Sequence, residues 1–285
     1  RTIRPHEAIT SVDTASEALA LSISEKACVD MDYMAQLSGK SQDKLVNELT
    51  GVIFFDPVER EWQTADEYLS GDVREKLRIA RSYAAPGFPK DGLANYAANA
   101  AALEQAQPKD LDASEIEVRL GATWIDKEYI RQFMFELLEP AFYVRRSIDV
   151  NYSDFSAEWN ITGKSVVGRS DINANMTYGT ERANAYKILE DTLNLRDVRI
   201  YDTIEDADGR EKRVLNSKET TLAQQKQQAI RDAFRDWIWR DPDRRHTLVA
   251  RYNELFNSTR PREYDGSHIT FAGMNPEIRL REHQL

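Results

Sequence analysis

Cysteine is almost absent from this chain of 285 residues: Cys28 stands alone. That excludes an intramolecular disulfide and fits a reducing, cytoplasmic setting. No apolar run approaches the length of about eighteen residues that crosses a bilayer, so a membrane span is excluded. His6, His246, His268 and His283 lie far apart, in no HxxxH or HExxH context, and suggest no zinc site. The phosphate-cradling GxxxxGK[ST], the dinucleotide GxGxxG and the nucleophile-bearing GxSxG are all missing, as is a Cys/His pair. The Asp-Ala-Asp-Gly run at 206–209 has neither the next alternating ligand nor the closing Glu of a calcium loop, and reads as a hairpin turn. Of the Asn/Asp-Pro-Pro-aromatic signature of amino-methylating enzymes, only a partial look-alike occurs, at Met274–Ile278. No catalytic residue is recognisable. The chain starts without Met and stops mid-pattern at Leu285, which reads as an internal fragment of a longer protein.

The formal net charge of −10 argues against a uniformly basic nucleic-acid binder. The acidity is uneven: residues 1–142 hold 15 Lys and Arg against 25 Asp and Glu, whereas residues 143–285 hold 23 of each. A local nucleic-acid patch therefore belongs in the C-terminal half, where the alternative is a solvated mixed-charge surface. Five Trp, twelve Tyr and ten Phe provide core material and exclude a disordered chain.

The pattern predicts an α+β, helix-rich fold: an N-terminal winged-helix-like unit, then helices with two β-hairpins. Asp13 or Thr14 caps a helix to about Lys26, Asp30 caps a second helix, and Ser41 caps a third carrying Leu45 and Leu49. An apolar strand at 52–55, a turn at Asp56-Pro57 and a strand with Trp62 follow. Within this unit MDYMAQLSGKSQDKLVNEL has helix-turn-helix spacing, with small Ala35, Gly39 in the turn and Leu45 facing inward. A helix over 71–85 leads to AAPGFPKDG, whose prolines and glycines suggest a boundary between units 1–85 and 86–265. An alanine-rich helix is expected over 93–107, and two helices around a Gly121 turn over 110–139. An alternating hairpin runs from Tyr143 to Gly163, a helix from Thr180 to Leu193, and a second hairpin turns at Gly209. A long helical stretch over 219–257 is broken at Asp241-Pro242.

Two sets of side chains are candidates for contact with DNA. On the third helix, Lys40, Gln42, Lys44 and Asn47 are residue types that meet base edges and phosphates, although Asp43 and Glu48 among them repel phosphate. Near the C-terminal end Arg244, Arg245, Arg260 and Arg262 interleave with aromatic residues, an arrangement that can bind single strands. Trp237, Ile238, Leu248 and Tyr252 have helical spacing, and core packing is the competing reading for them.

DEYLSGDVREKL, QPKDLDASEIEVRLGATWI, TYGTERANAYKILEDTLNL and NSTRPREYDGSHITFAGMNPEIRLREHQ together resemble a segment of very large proteins encoded on bacterial mobile elements. In that family an N-6 adenine methylase-like region is joined to a Swi/Snf-type superfamily II helicase. The resemblance covers the chain from about Ala8 to Leu285. It implies a parent that uses ATP and S-adenosylmethionine, neither bound by this segment. It further implies that residues 266–285 lead into a helicase core, and that Gln284, in Leu280-Arg281-Glu282-His283-Gln284, is similar in placement to an adenine-recognising glutamine. The expected role is a non-catalytic accessory region that helps the parent engage DNA or position its helicase and methylase domains. The alternative is a structural and protein-interaction scaffold that touches no nucleic acid.

Overall fold

A computed structural model describes residues 9–87, 92–168, 170–205 and 210–262. Two compact units divide the chain: Arg1–Asp110 with Asn253–Leu285, and Leu111–Tyr252.

The first unit opens with α1 (Ala15–Lys26). Thr14 Oγ1 accepts the Glu17 amide at 3.2 Å while the Glu17 carboxylate accepts the Thr14 amide at 3.1 Å, a reciprocal cap. Asp30 caps α2 (Met31–Ser38) through the Tyr33 amide, and Gly39 ends it at φ +65°, a left-handed turn that glycine adopts without strain. Ser41 then caps α3 (Gln42–Glu48). Ala18, Met34, Leu45, Leu49 and Ile53 bury together, with Ala35 and Trp62 packed beside them. Strands β1 (Ile53–Asp56) and β2 (Glu61–Thr64) pair antiparallel, Phe55 opposite Trp62, and Asp56 Oδ1 accepts the Val58 amide at 2.8 Å to close the turn. Three helices and a hairpin in this order make the N-terminal unit a winged helix, as its caps and spacing predict.

Further along come α4 (Ala65–Tyr68), β3 (Gly71–Asp72), α5 (Val73–Ala84) and α6 (Tyr96–Gln105). Asn99 Nδ2 donates to the Phe55 carbonyl at 2.9 Å and to the Tyr68 hydroxyl at 3.0 Å, tying the hairpin to α6. Phe54, Tyr68, Val73, Leu77 and Leu103 share a second core. The boundary expected at residue 85 needs correction. Arg81 pairs with Glu104 at 2.7 Å and the rings of Tyr83 and Tyr96 meet at 5.0 Å, so the AAPGFPKDG stretch connects two helices of one unit.

The second unit contains α7 (Lys127–Leu138), α8 (Phe142–Ser147), and a hairpin of β4 (Asp149–Ser153) and β5 (Glu158–Thr162) with Val150 opposite Ile161. After a π-turn (Asn173–Thr177) come α9 (Ala185–Leu193), the hairpin β6 (Tyr201–Glu205) and β7 (Glu211–Leu215), then α10 (Ser217–Ile238) and α11 (Pro242–Phe256). Phe133, Phe234 and Trp237 form an aromatic centre, with Phe133 at 5.0 and 5.4 Å from the other two ring centroids. The chain returns to the first unit, where β8 (Thr259–Arg260) pairs antiparallel with β3, Gly71 opposite Arg260.

Three local expectations need correcting. The helix expected before Gly121 is an irregular run instead: Ile116, Val118 and Leu120 enter the core at every second position, a period no helix satisfies. The alternating pattern expected from Tyr143 begins only at Asp149, because Phe142–Ser147 is helical. The helix expected from Thr180 begins at Ala185, where Asn184 caps it through the Lys187 amide at 3.0 Å. The break between α10 and α11 falls at Asp241-Pro242 as predicted. Gly209 and the stretch 266–285 lie outside the described residues.

Candidate nucleic-acid interface

The third helix of a winged helix is where base-reading side chains belong, and here several of the candidates are engaged by neighbouring carboxylates. Lys40 Nζ stands 2.6 Å from Glu48, its side chain only 18% exposed. The Lys40 hydrogen bond holds the Glu48 carboxyl below the ordinary carboxylate range. Gln42 Nε2 donates to Asp32 Oδ1 at 2.7 Å. Lys44 is exposed, with Nζ 4.0 Å from the other oxygen of Glu48, and Asn47 is exposed beside it. Of the four candidates only Lys44 and Asn47 present their side chains outward, flanked by the acids Asp43 and Glu48.

The four C-terminal arginines differ in setting, two in each unit. Arg244 is buried at 7% exposure. Its guanidinium lies 3.5 Å over the Trp237 ring and donates to the carbonyls of Ile238 at 3.0 Å and Trp237 at 2.6 Å. Burial lowers its proton affinity from the usual value. The expectation that Arg244 reaches DNA therefore needs correction: its donors close the C-terminal end of α10. Arg262 is paired with Asp66 at 2.8 Å and Glu67 at 3.6 Å, and Arg260 sits within β8. Arg245 is exposed on the first turn of α11. Trp237 belongs to the core, its indole N–H donated to Glu136 at 2.5 Å, so no stacking platform forms around it. Gln284 lies outside the described residues.

The arrangement that does combine exposed rings with cations lies on α7 and α8. Phe142 and Tyr143 are 69% and 61% exposed, and Arg145 and Arg146 are exposed beside them. Arg146 lies 4.4 Å over the Phe142 ring, and Arg131 and Arg145 each lie 5.6 Å from the centroid of Phe135. An open groove of about 330 Å³ runs alongside, lined by Glu128, Arg131, Gln132, Phe135, Glu136 and Arg145. Glu128 pairs with Arg131 at 3.1 Å, and Glu136 accepts from both Trp237 and Gln132, so both groove acids are engaged within the unit. Sequence reasoning misses this site because it assigns Tyr143 onward to a strand, which sends alternate side chains to opposite faces. Pro140, directly after the C-cap of α7, is the available signal that one helix ends there and a new element starts.

Among the described residues no group of three or more His, Cys, Asp or Glu side chains is placed to hold a metal ion, and no helix is long and apolar enough to cross a membrane. Residues 11–63 match a family model described as "Probable helicase, winged helix domain". Residues 119–258 match one described as "Domain of unknown function (DUF8437)". Comparison with curated proteins and with solved structures yields no match. The helix-rich chain thus carries, at its N-terminal end, a winged-helix region of the helicase-associated kind.

Proposed function

We propose that this chain is a non-catalytic accessory region of a DNA helicase, helping its parent engage DNA and position neighbouring domains. The observation that carries the reading is the match of residues 11–63 to a probable helicase winged-helix domain, on three capped helices and a hairpin. The parent is of the type that joins an N-6 adenine methylase-like region to a Swi/Snf-type superfamily II helicase on mobile elements. ATP and S-adenosylmethionine belong to those neighbouring domains, and Gln284 meets the nucleotide base only in their company.

Engagement is with the backbone of DNA and not with its sequence. Lys44 and Asn47 on α3 and Arg245 on α11 supply a sparse set of donors. The internal pairing of Lys40 with Glu48 and of Gln42 with Asp32 leaves too few for a base code. The same pairing, with Arg262 held by Asp66, favours the scaffold alternative, in which the winged helix contacts protein alone. Fluorescence anisotropy with labelled single- and double-stranded DNA at about 50 and 200 mM salt tests the choice. Binding that weakens steeply with salt and is indifferent to sequence is expected. Flat anisotropy with both DNAs at the lower salt overturns the DNA-engaging half. Co-purification with the parent's helicase domain tests the positioning half, and its failure overturns that.

A further inference from the structure

Phe142 and Tyr143 combine wide exposure with two neighbouring exposed guanidiniums. Among the described residues Arg78, Arg119 and Arg196 are each paired with a glutamate, whereas Arg145 and Arg146 form no ion pair and lie instead over phenylalanine rings. One face of Phe142 is covered by the Arg146 guanidinium, and the ring remains largely open to solvent. Tyr143, the next residue, is as open. A short helix fixes all four side chains within six residues, and the buried Val144 anchors it to the core.

We infer that Phe142, Tyr143, Arg145 and Arg146 form a platform for single-stranded nucleic acid. The two rings take base faces and the two guanidiniums take the phosphates between them. Each part of the ligand matches a group on the surface. An unpaired base offers a flat π-face, which a paired base within a duplex does not expose. The phosphodiester supplies the anion that neither arginine finds within the protein. An acidic peptide would satisfy the arginines and leave both rings in water. The acids Glu128 and Glu136 in the adjoining groove are held by Arg131, Gln132 and Trp237, and they keep phosphate to the α8 side.

The platform rests on the DNA-engaging half of the proposed function and adds the strand form and the residues that meet it. The test uses the whole chain with a labelled oligothymidine of about 16 nucleotides, the upper end of what one small stacking fold covers. A duplex of equal length serves as comparison. Phe142→Ala with Tyr143→Ala is expected to weaken single-strand binding by about tenfold or more, with little effect on the duplex. Arg145→Ala with Arg146→Ala is expected to flatten the dependence of log affinity on log salt by about 1.4, and the paired lysine variants to restore it. Arg119→Ala, an exposed and paired arginine elsewhere, is expected to change nothing. Should the double alanine variant of the aromatics not fold, Phe142→Leu with Tyr143→Leu removes the π-faces while keeping apolar bulk. Single-strand binding that survives both the aromatic and the arginine variants overturns the platform and leaves the proposed function standing. No binding to either oligonucleotide overturns both the platform and the DNA-engaging half. Retention of the parent's helicase domain lost in the same variants, without nucleic-acid binding, assigns the patch to a protein partner and also overturns the platform.

Discussion

The guanidinium of Arg244 combines three interactions at one point: a stack on Trp237 and hydrogen bonds to the carbonyls of Ile238 and Trp237, the latter also accepting the Arg240 amide at 3.1 Å. Replacing it by alanine takes the side-chain donor from the Ile238 carbonyl, leaves the Trp237 carbonyl with the Arg240 amide alone and exposes the indole face. Arg244→Ala is therefore expected to cost about 2–4 kcal/mol, read as a lower urea midpoint at unchanged slope. Arg244→Lys is expected to recover only part, because an ammonium cannot keep a flat stack while reaching two acceptors. Loss of DNA binding in Arg244→Ala beyond the loss of stability would restore it to the interface. In the sequence Arg244 and Arg245 are adjacent and look equivalent. Their fates differ because a helix turns each residue about 100° from the last, so one faces the core and the next faces solvent.

Among the elements, the winged helix was the most legible. Its caps at Thr14, Asp30 and Ser41, and the left-handed Gly39, act within a few residues of themselves and need no distant partner. The segments around 111–120 and 142–147 were not legible, since short runs take whatever conformation the core they pack against requires. The junction between hairpin and α6 has a pH signature of its own. Burial pushes the Tyr68 hydroxyl up to about 12, against the opposing effect of the hydrogen bond from Asn99. Below pH 10 the group is neutral whether the chain is folded or not. Between 10 and about 12 the unfolded chain ionises and the folded one does not, so stability falls as the pH rises through this window. Urea midpoints measured across it are expected to fall more steeply for the wild type than for Tyr68→Phe. Equal slopes would mean that Tyr68 is not held neutral by its surroundings.

At the scale of the molecule, the first unit is made from two stretches that are far apart in the chain. The return stretch is stitched to it by the β3–β8 pair, by Arg74 Nε donating to the Asn257 carbonyl at 2.9 Å, and by Asn257 Nδ2 donating to the Lys109 carbonyl at 2.9 Å. No local signal in the sequence announces this, because a two-residue strand has no periodicity to detect. Truncation after Tyr252 is expected to lower the melting temperature of the first unit, leaving Gly71-Asp72 without their strand partner. Residues 111–252, which hold their own aromatic core, are expected to fold when expressed separately. An unfolded 111–252 polypeptide, or a truncated first unit as stable as the intact one, would contradict this division.

The link between Lys109 and Asn257 also sets an order of events during synthesis. The winged helix leaves the ribosome early, yet the unit that contains it waits for roughly 140 further residues, on the order of ten seconds of translation. In that interval β3 is an unmatched edge on a nascent chain. Its completion depends on the ribosome finishing the intervening unit without pause or cleavage, so an interrupted message yields the first stretch of this unit present and unsealed.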